Sequence, residues 1–411
     1  MLCRWRFLRP RLDGISHAAG VARCFASSAA ASMDFLFNPT AEHKMLREAI
    51  ARFANERVEP RAKQSDIEMR FSTDLIRELG DLGMLGVTVP EDAGGAGMDA
   101  TASVIVHHEL SKVDPGFCLA YLAHSVLFVN NFYNSASPEQ RERWLPKVIS
   151  GEHIGAMCMS EPGAGTDVLG MSTIANKVGD GKYVLNGCKT WITNGTVADV
   201  VILYAKVEGK ITAFVVEKGT RGFTCGPKID KCGMRGSQMC QLFFDNVELG
   251  KENVVGTEGK GVVGMMRNLE IERLTLAAMA VGIADRCVEL MARYAGERQA
   301  FGKPIWHYGQ IQRLIAESYA DTEAAKALTY AVSRSVSPTS HNRLGSDASK
   351  LFAAPVAKRV ADNAMQVMGG MGYARDMPVE RLWRDAKLLE IGGGTLEAHQ
   401  RNITKDLMRE L

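Results

Sequence analysis

No CxxC pair occurs among the nine cysteines, which are scattered along the 411 residues. That usage excludes a disulfide framework. Cys225 and Cys232 lack metal-ligand spacing, so no metal site is expected either, and a reducing compartment fits. There is no uninterrupted apolar run of roughly 18 to 20 residues, so no membrane span is expected. One-sided charge is also missing. The 49 Lys and Arg face 47 Asp and Glu, and the +2 remainder gives no basic field for a nucleic-acid partner.

The charge asymmetry that does exist lies at the start. Residues 1–32 carry Arg4, Arg6, Arg9, Arg11 and Arg23 against Asp13 alone, and they close on a Ser/Ala-rich stretch. This is the composition of a mitochondrial presequence, and the mature chain that remains would be slightly acidic. With 46% hydrophobic residues over this length, the chain can bury more than one core, so two or three packed domains are expected.

Three textures follow one another. From Asn38 the pattern is helical: Pro39 suits a first turn, Thr40 can cap, and Leu46, Ile50 and Phe53 recur at helical spacing. Breaks such as "VPEDAGGAG" (Val89 to Gly97) join helices, which gives an N-terminal α-helical domain over residues 33–153. Over 154–258, β-branched and aromatic runs ("KYVLNG", "KTWITNG", "ADVVILYAKV", "KITAFVVEKG", "QLFFDNVEL") alternate with Gly, Asp and Asn, as in an antiparallel β-domain. Over 259–411 helical periodicity returns, with Leu274, Val281, Val288 and Met291 on one face and a single long polar break from Ser333 to Asp347. The fold class is α+β: a helical domain, a middle β-domain and a C-terminal helical bundle.

"GKGVVG" (Gly259 to Gly264) matches GxGxxG, but the next thirty residues read as one helix without the second strand that a dinucleotide fold requires. "MCMSEPGAGTDV" (Met157 to Val168) holds a Pro-Gly-Ala-Gly turn whose N–H groups can face a pyrophosphate or a flavin edge; a plain domain connection is the other reading. In "KTWITNG" (Lys189 to Gly195), Trp191 suits stacking on an aromatic cofactor and equally suits a core position.

Taken with "ERQAFGKP", "QVMGGMGY" and "RLWRDAKLLEIGGGT", these segments stand in the order and spacing of the acyl-CoA dehydrogenase flavoproteins, and the chain resembles that family from Met157 to Thr395. The resemblance implies FAD as cofactor. Met157, Met159, Ser160, Thr166, Trp191 and Thr193 match residues around the flavin, and Thr395 and Glu397 match contacts near it and its adenosine diphosphate arm. Arg298, Phe301, Gln366, Gly369 and Gly370 match residues that reach the FAD of a neighbouring subunit, which implies a homo-oligomer, commonly a tetramer. Thr166, Glu270 and Arg273 match positions that hold CoA, although Glu270 and Arg273, spaced i, i+3, would also suit a surface ion pair. Gly309 stands where relatives usually carry a glutamine; Gln310 and Gln312 are the nearby substitutes.

Dehydrogenating an acyl thioester needs a base for the α-proton, an acceptor for the β-hydride and polarisation of the carbonyl. The family's usual base precedes Gly-Thr in "YEGT", and here that position is Gly393. Some members instead carry the base on a helix, in a pattern similar to "LEIERL" (Leu269 to Leu274), which points to Glu272. Its i±3 and i±4 neighbours, Asn268, Leu269, Thr275 and Leu276, include no cation, so burial there would raise its pKa. Glu270 lies about 200° away around the helix. Gly393 keeps the backbone N–H that relatives direct at the thioester carbonyl, and losing its side chain should free volume for a branch methyl. The resemblance therefore implies oxidation of a short branched acyl-CoA, isovaleryl-CoA to 3-methylcrotonyl-CoA as in leucine catabolism, with electrons passed to an electron-transfer flavoprotein in the mitochondrial matrix. Leu389 and Val263 stand where members acting on isovaleryl-CoA carry tyrosines, which leaves a long-chain or other short-chain specificity as the alternative. A catalytically silent member, suggested by the missing "YEGT" glutamate, is opposed by the intact "LEIERL". An acyl-CoA oxidase is opposed by the absence of a closing SKL.

Overall fold

The computed structural model describes residues 35–179, 181–337 and 340–410, and the expected presequence, residues 1–32, falls outside them. Helix α1 (Ala41–Phe53) begins at Thr40, whose extended backbone and side-chain oxygen accept the His43 N–H and satisfy one orphan donor of the first turn. Its buried stripe of Leu46, Ile50 and Phe53 keeps the spacing the sequence set. Helices α2 (Glu59–Glu68), α3 (Thr73–Asp81), α4 (Ala100–Val113), α5 (Pro115–Leu122) and α6 (Pro138–Ile149) complete this part. Helix α4 is apolar on nearly every side and buried along its length, as befits a helix enclosed by others.

The middle of the chain forms one eight-stranded sheet. Its strands are β1 (Gly155–Cys158), β2 (Ile174–Gly179), β3 (Lys182–Thr193), β4 (Val200–Val207), β5 (Lys210–Glu217), β6 (Phe223–Cys225), β7 (Met239–Gly250) and β8 (Val254–Val255). The order is β6-β7-β3-β2-β4-β5-β8, with β1 also on β4. Most pairs are antiparallel, as the short Gly- and Asn-marked breaks suggest. The exceptions are β1 and β2, which meet β4 in parallel, because the chain reaches β4 through other strands and not through a hairpin. Both faces of β4 and β5 are covered. Ile202, Tyr204 and Val215 face Phe132 and Trp144 of the first domain, while Leu203, Phe214 and Val216 face Leu242 and Leu249.

Helix α7 (Gly261–Glu297) runs 37 residues, ~55 Å at 1.5 Å per residue. It begins inside the GxGxxG match, and no strand follows, so the segment is a helix start and not a dinucleotide turn. Helices α8 (Gly309–Ser333), α9 (Arg343–Met368), α10 (Pro378–Leu389) and α11 (Leu396–Glu410) follow. Helix α7 packs on α4, α8 and α9, so its middle third is enclosed by both helical parts. The polar break after α8 is shorter than its composition suggests. Asn342 accepts the Gly345 N–H at 2.7 Å and opens α9, which takes Asp347 into the helix and buries it.

Candidate active site

Glu272 lies in the enclosed stretch of α7, 6% exposed, and its Oε2 has no hydrogen-bond partner among the described residues. Burial pushes its pKa up to about 7, and the charges of Arg273 and Lys350 only partly oppose this. Such a carboxylate can take a proton near neutral pH. The turn between α10 and α11 comes up against it: a Cβ built on Gly393 would lie 3.5 Å from Glu272 Oε1. Gly393 has φ +65° and Gly394 φ +97°, conformations that favour glycine. The Gly393 N–H meets no acceptor among the described residues.

The volume expected beside Gly393 is not empty, because that same built Cβ would lie 2.1 Å from Leu276 Cδ1. A leucine one turn beyond Glu272 occupies the space a side chain at 393 would need. Sequence reading could not show this, since Leu276 reaches Gly393 only through the packing of α7 on the C-terminal turn.

Glu270 and Arg273 do not pair with each other. Glu270 turns the other way from Glu272 and accepts from His341 Nδ1 at 3.0 Å and from the Asn342 N–H. Arg273 pairs with the fully buried Asp347 at 3.2 Å. Glu270, Arg267, Asn268 and Ile271 line a cavity of about 310 Å³ that Asn130, Asn134, Tyr204, Lys260 and Val263 also border. Thr88 donates to Asn130 Oδ1 and Asn130 donates to Asn268 Oδ1, both at 2.8 Å, leaving the buried Asn268 amide nitrogen without a partner among the described residues. Neither Arg273 nor Thr166 borders this cavity.

The "SEPGAGTD" and "WITNG" segments come together at the sheet. Met157 lies in β1, Met159 and Ser160 follow it, and the Thr190 N–H donates to Ser160 O at 2.9 Å. Glu161 holds the turn: it accepts from Ser172 N and Oγ, both at 2.6 Å, from Thr173 N at 2.9 Å and from Lys189 Nζ at 2.8 Å. Burial alone would raise the Glu161 pKa, but Lys189 and these donors overcome it and hold the carboxyl at about 2. Beyond the clamp, β3 bulges between Lys189 and Ile192, and Trp191, at φ +59°, stands 59% exposed rather than in the core. Thr193 is half-buried and Thr166 is exposed on the turn, where a Cβ built on Gly163 or Gly165 would meet nothing.

Thr395 and Glu397 open α11, where Thr395 Oγ1 accepts the Ala398 N–H at 3.3 Å. Arg298, Phe301, Gln366, Gly369 and Gly370 are all exposed, Phe301 by 96% at φ +50°. Gly309 is exposed at the start of α8, and Gln310 accepts from Arg313 Nε at 3.3 Å. Two exposed aromatics, an open glycine turn and open glycines at 369 and 370 form surfaces that a planar cofactor and a second copy would cover, so these residues fit a flavin. Among the described residues there is no cluster suited to a metal and no helix long and apolar enough to cross a membrane.

Sequence reading missed Lys189, Glu161, Asp347, Lys350 and His399. Each was legible only as a charged residue inside an otherwise apolar or glycine-rich segment, and nothing in the sequence said they would be buried.

Sequence models of the acyl-CoA dehydrogenase N-terminal, middle and C-terminal domains match residues 40–152, 156–247 and 259–408. The chain is 41% identical over 398 residues to the mitochondrial isovaleryl-CoA dehydrogenase of Oryza sativa subsp. japonica, covering 95% of this chain and 96% of that protein. It is 38% identical over 405 residues to the mitochondrial 2-methylacyl-CoA dehydrogenase of Solanum tuberosum, covering 96% and 98%. Among solved structures, it resembles an acyl-CoA dehydrogenase complexed with FAD from Bacillus anthracis (TM-score 0.86, 31% identity, 90% of this chain and 67% of that one). It also resembles a chain solved in work on the electron transferring flavoprotein of Acidaminococcus fermentans (TM-score 0.87, 34% identity, 90% and 98%).

Proposed function

The chain belongs to the acyl-CoA dehydrogenase family, and on that premise we propose that it oxidises a short branched acyl-CoA, isovaleryl-CoA to 3-methylcrotonyl-CoA, with Glu272 as base. The observation that carries this is the buried, half-unpartnered carboxylate with its pKa near 7 against a side-chain-free Gly393. The isovaleryl-CoA dehydrogenase relatives support the acyl preference.

Glu272 takes the α-proton, and the electron pair of the broken C–H bond moves toward the thioester oxygen. The free N–H of Gly393 polarises that oxygen. FAD, when bound, supplies the acceptor for the β-hydride. Met157, Met159, Ser160, Thr166, Trp191, Thr193, Thr395 and Glu397 would hold it, and Arg298, Phe301, Gln366, Gly369 and Gly370 would reach the cofactor of a neighbouring copy in a homotetramer. The exposure of Phe301 and Trp191 supports both roles.

The polar cavity beside Glu270 suits the amides and phosphates of CoA better than a long alkyl chain, since burying Asn130, Asn134 and Asn268 against hydrocarbon would leave their amides unpaired. Glu270 borders it directly. Arg273, paired with Asp347, would act there only by shaping α7. In leucine breakdown in the mitochondrial matrix, electrons would leave for an electron-transfer flavoprotein; relatives named mitochondrial and the likeness to a chain from electron transferring flavoprotein work support this. The test is turnover of purified enzyme with isovaleryl-, 2-methylbutyryl-, isobutyryl-, butyryl- and palmitoyl-CoA. Isovaleryl-CoA should give the highest kcat/KM, and a preference for palmitoyl-CoA or 2-methylbutyryl-CoA would overturn the acyl assignment.

A further inference from the structure

Lys350, on α9, is fully buried and has no carboxylate within hydrogen-bonding distance among the described residues. Its ammonium donates to Gly392 O at 2.6 Å and to Gly394 O. These two carbonyls bracket Gly393, the residue whose free N–H faces the site. A turn of three glycines, two of them left-handed, has little intrinsic preference for one shape, and Lys350 is the buried group that fixes it from below. His399 Nε2 lies 3.1 Å from Gly394 O and helps on one side only.

From this geometry we propose that Lys350 is a positioning residue for the dehydrogenation: its ammonium holds the Gly392 and Gly394 carbonyls so that the Gly393 N–H meets the thioester oxygen, and its charge favours the enolate. The inference rests on Glu272 being the base. As the α-proton moves to Glu272, one negative charge leaves its carboxylate and appears on the thioester oxygen; no charge is created. A cation bound behind the Gly393 turn sits on the side to which that charge moves. It therefore stabilises the state after proton transfer, which is the differential interaction that catalysis requires.

The charged and titratable groups packed around Glu272 are Arg273 on its own helix, Asp347 and Lys350 on α9, and His399 on α11. Arg273 and His399 are both engaged by Asp347. Lys350 is the cation left to act on Glu272 without a carboxylate partner, and it pulls the Glu272 pKa down while Glu272 pulls the Lys350 pKa up.

The experiment uses FAD-loaded enzyme and 3-thiabutyryl-CoA, in which sulfur replaces the β-carbon, so no hydride can leave and only α-proton exchange is possible. Deuterium uptake at the α-carbon from D2O is followed by mass spectrometry between pH 5.5 and 9. Wild-type exchange should rise with a midpoint near 7, and Glu272→Gln should abolish it; exchange that survives in Glu272→Gln overturns the base assignment by itself. With the base confirmed, Lys350→Met should lower the plateau at least about tenfold, below the 10²-fold typical of losing a direct oxyanion donor because the N–H itself remains, and should move the midpoint to higher pH. Lys350→Arg should keep the midpoint nearer to wild type. A lower plateau with an unmoved midpoint in Lys350→Met means a structural role alone and overturns the proposal, as does wild-type behaviour. If Lys350→Met does not fold, Lys350→Gln is read in the same way: an upward midpoint supports the proposal and an unmoved one overturns it.

Discussion

Replacing Glu272 by glutamine should make the protein more stable at alkaline pH while disabling it. In the fold this carboxyl has its pKa raised from 4.5 to about 7 by burial. A raised acid binds its proton more tightly folded than unfolded, so the wild type loses stability as pH climbs through the interval between those values. Below pH 4.5 both states are protonated and there is no cost. Above 7 both are ionised, and the cost is complete at about 3 kcal/mol, from roughly 1.36 kcal/mol per pKa unit. Glutamine keeps the shape and a neutral polar head without the ionisation. The difference in stability between Glu272→Gln and wild type should therefore grow from near zero around pH 4.5 to about 3 kcal/mol by pH 8. Thermal or urea unfolding of the two FAD-loaded proteins across that range measures it. A difference that does not change with pH, or a wild type that is the more stable at pH 8, would refute the reasoning.

Glu270→Gln should raise KM for the acyl-CoA more than it lowers kcat, because Glu270 borders the polar cavity and faces away from Glu272; steady-state kinetics separates the two. Gly393→Glu in a Glu272→Gln background should recover little turnover of butyryl-CoA until Leu276→Ala is added, since Leu276 Cδ1 lies where the new Cβ must go; single-turnover kinetics of the double and triple variants decides it. Glu161→Gln should loosen the turn and release FAD more readily, seen as flavin lost on gel filtration. The wild-type Glu161 carboxyl, held at about 2, should contribute stability that is present above pH 4.5 and lost as pH falls toward 2. Phe301→Asp should weaken both assembly and FAD retention, and a fully flavinylated monomer seen by light scattering would contradict the proposed role of that surface.

The order of helical, sheet and helical parts was legible because hydrophobic period, turn residues and strand composition all act locally. Thr40 capping α1 and the long continuous pattern of α7 are examples. The parallel placement of β1 and β2 was not legible, since register across β4 depends on long-range pairing. At the site, the apolar neighbours of Glu272 along its helix were visible, and burial followed from them. Its electrostatics were not. Lys350 arrives from α9 and Leu276 meets Gly393 across a tertiary contact, and neither relation has a sequence spacing. Trp191 could not be assigned from residue type alone; its exposure comes from a bulge in β3 that the run "KTWITNG" does not announce.

The central claim is that Glu272 removes the α-proton of a short branched acyl-CoA, and anaerobic mixing of the FAD-loaded enzyme with isovaleryl-CoA tests it most directly. Bleaching of the flavin absorbance should be fast in the wild type and at least about 10²-fold slower in Glu272→Gln, with acyl-CoA binding retained. Bleaching of Glu272→Gln at the wild-type rate would contradict the account.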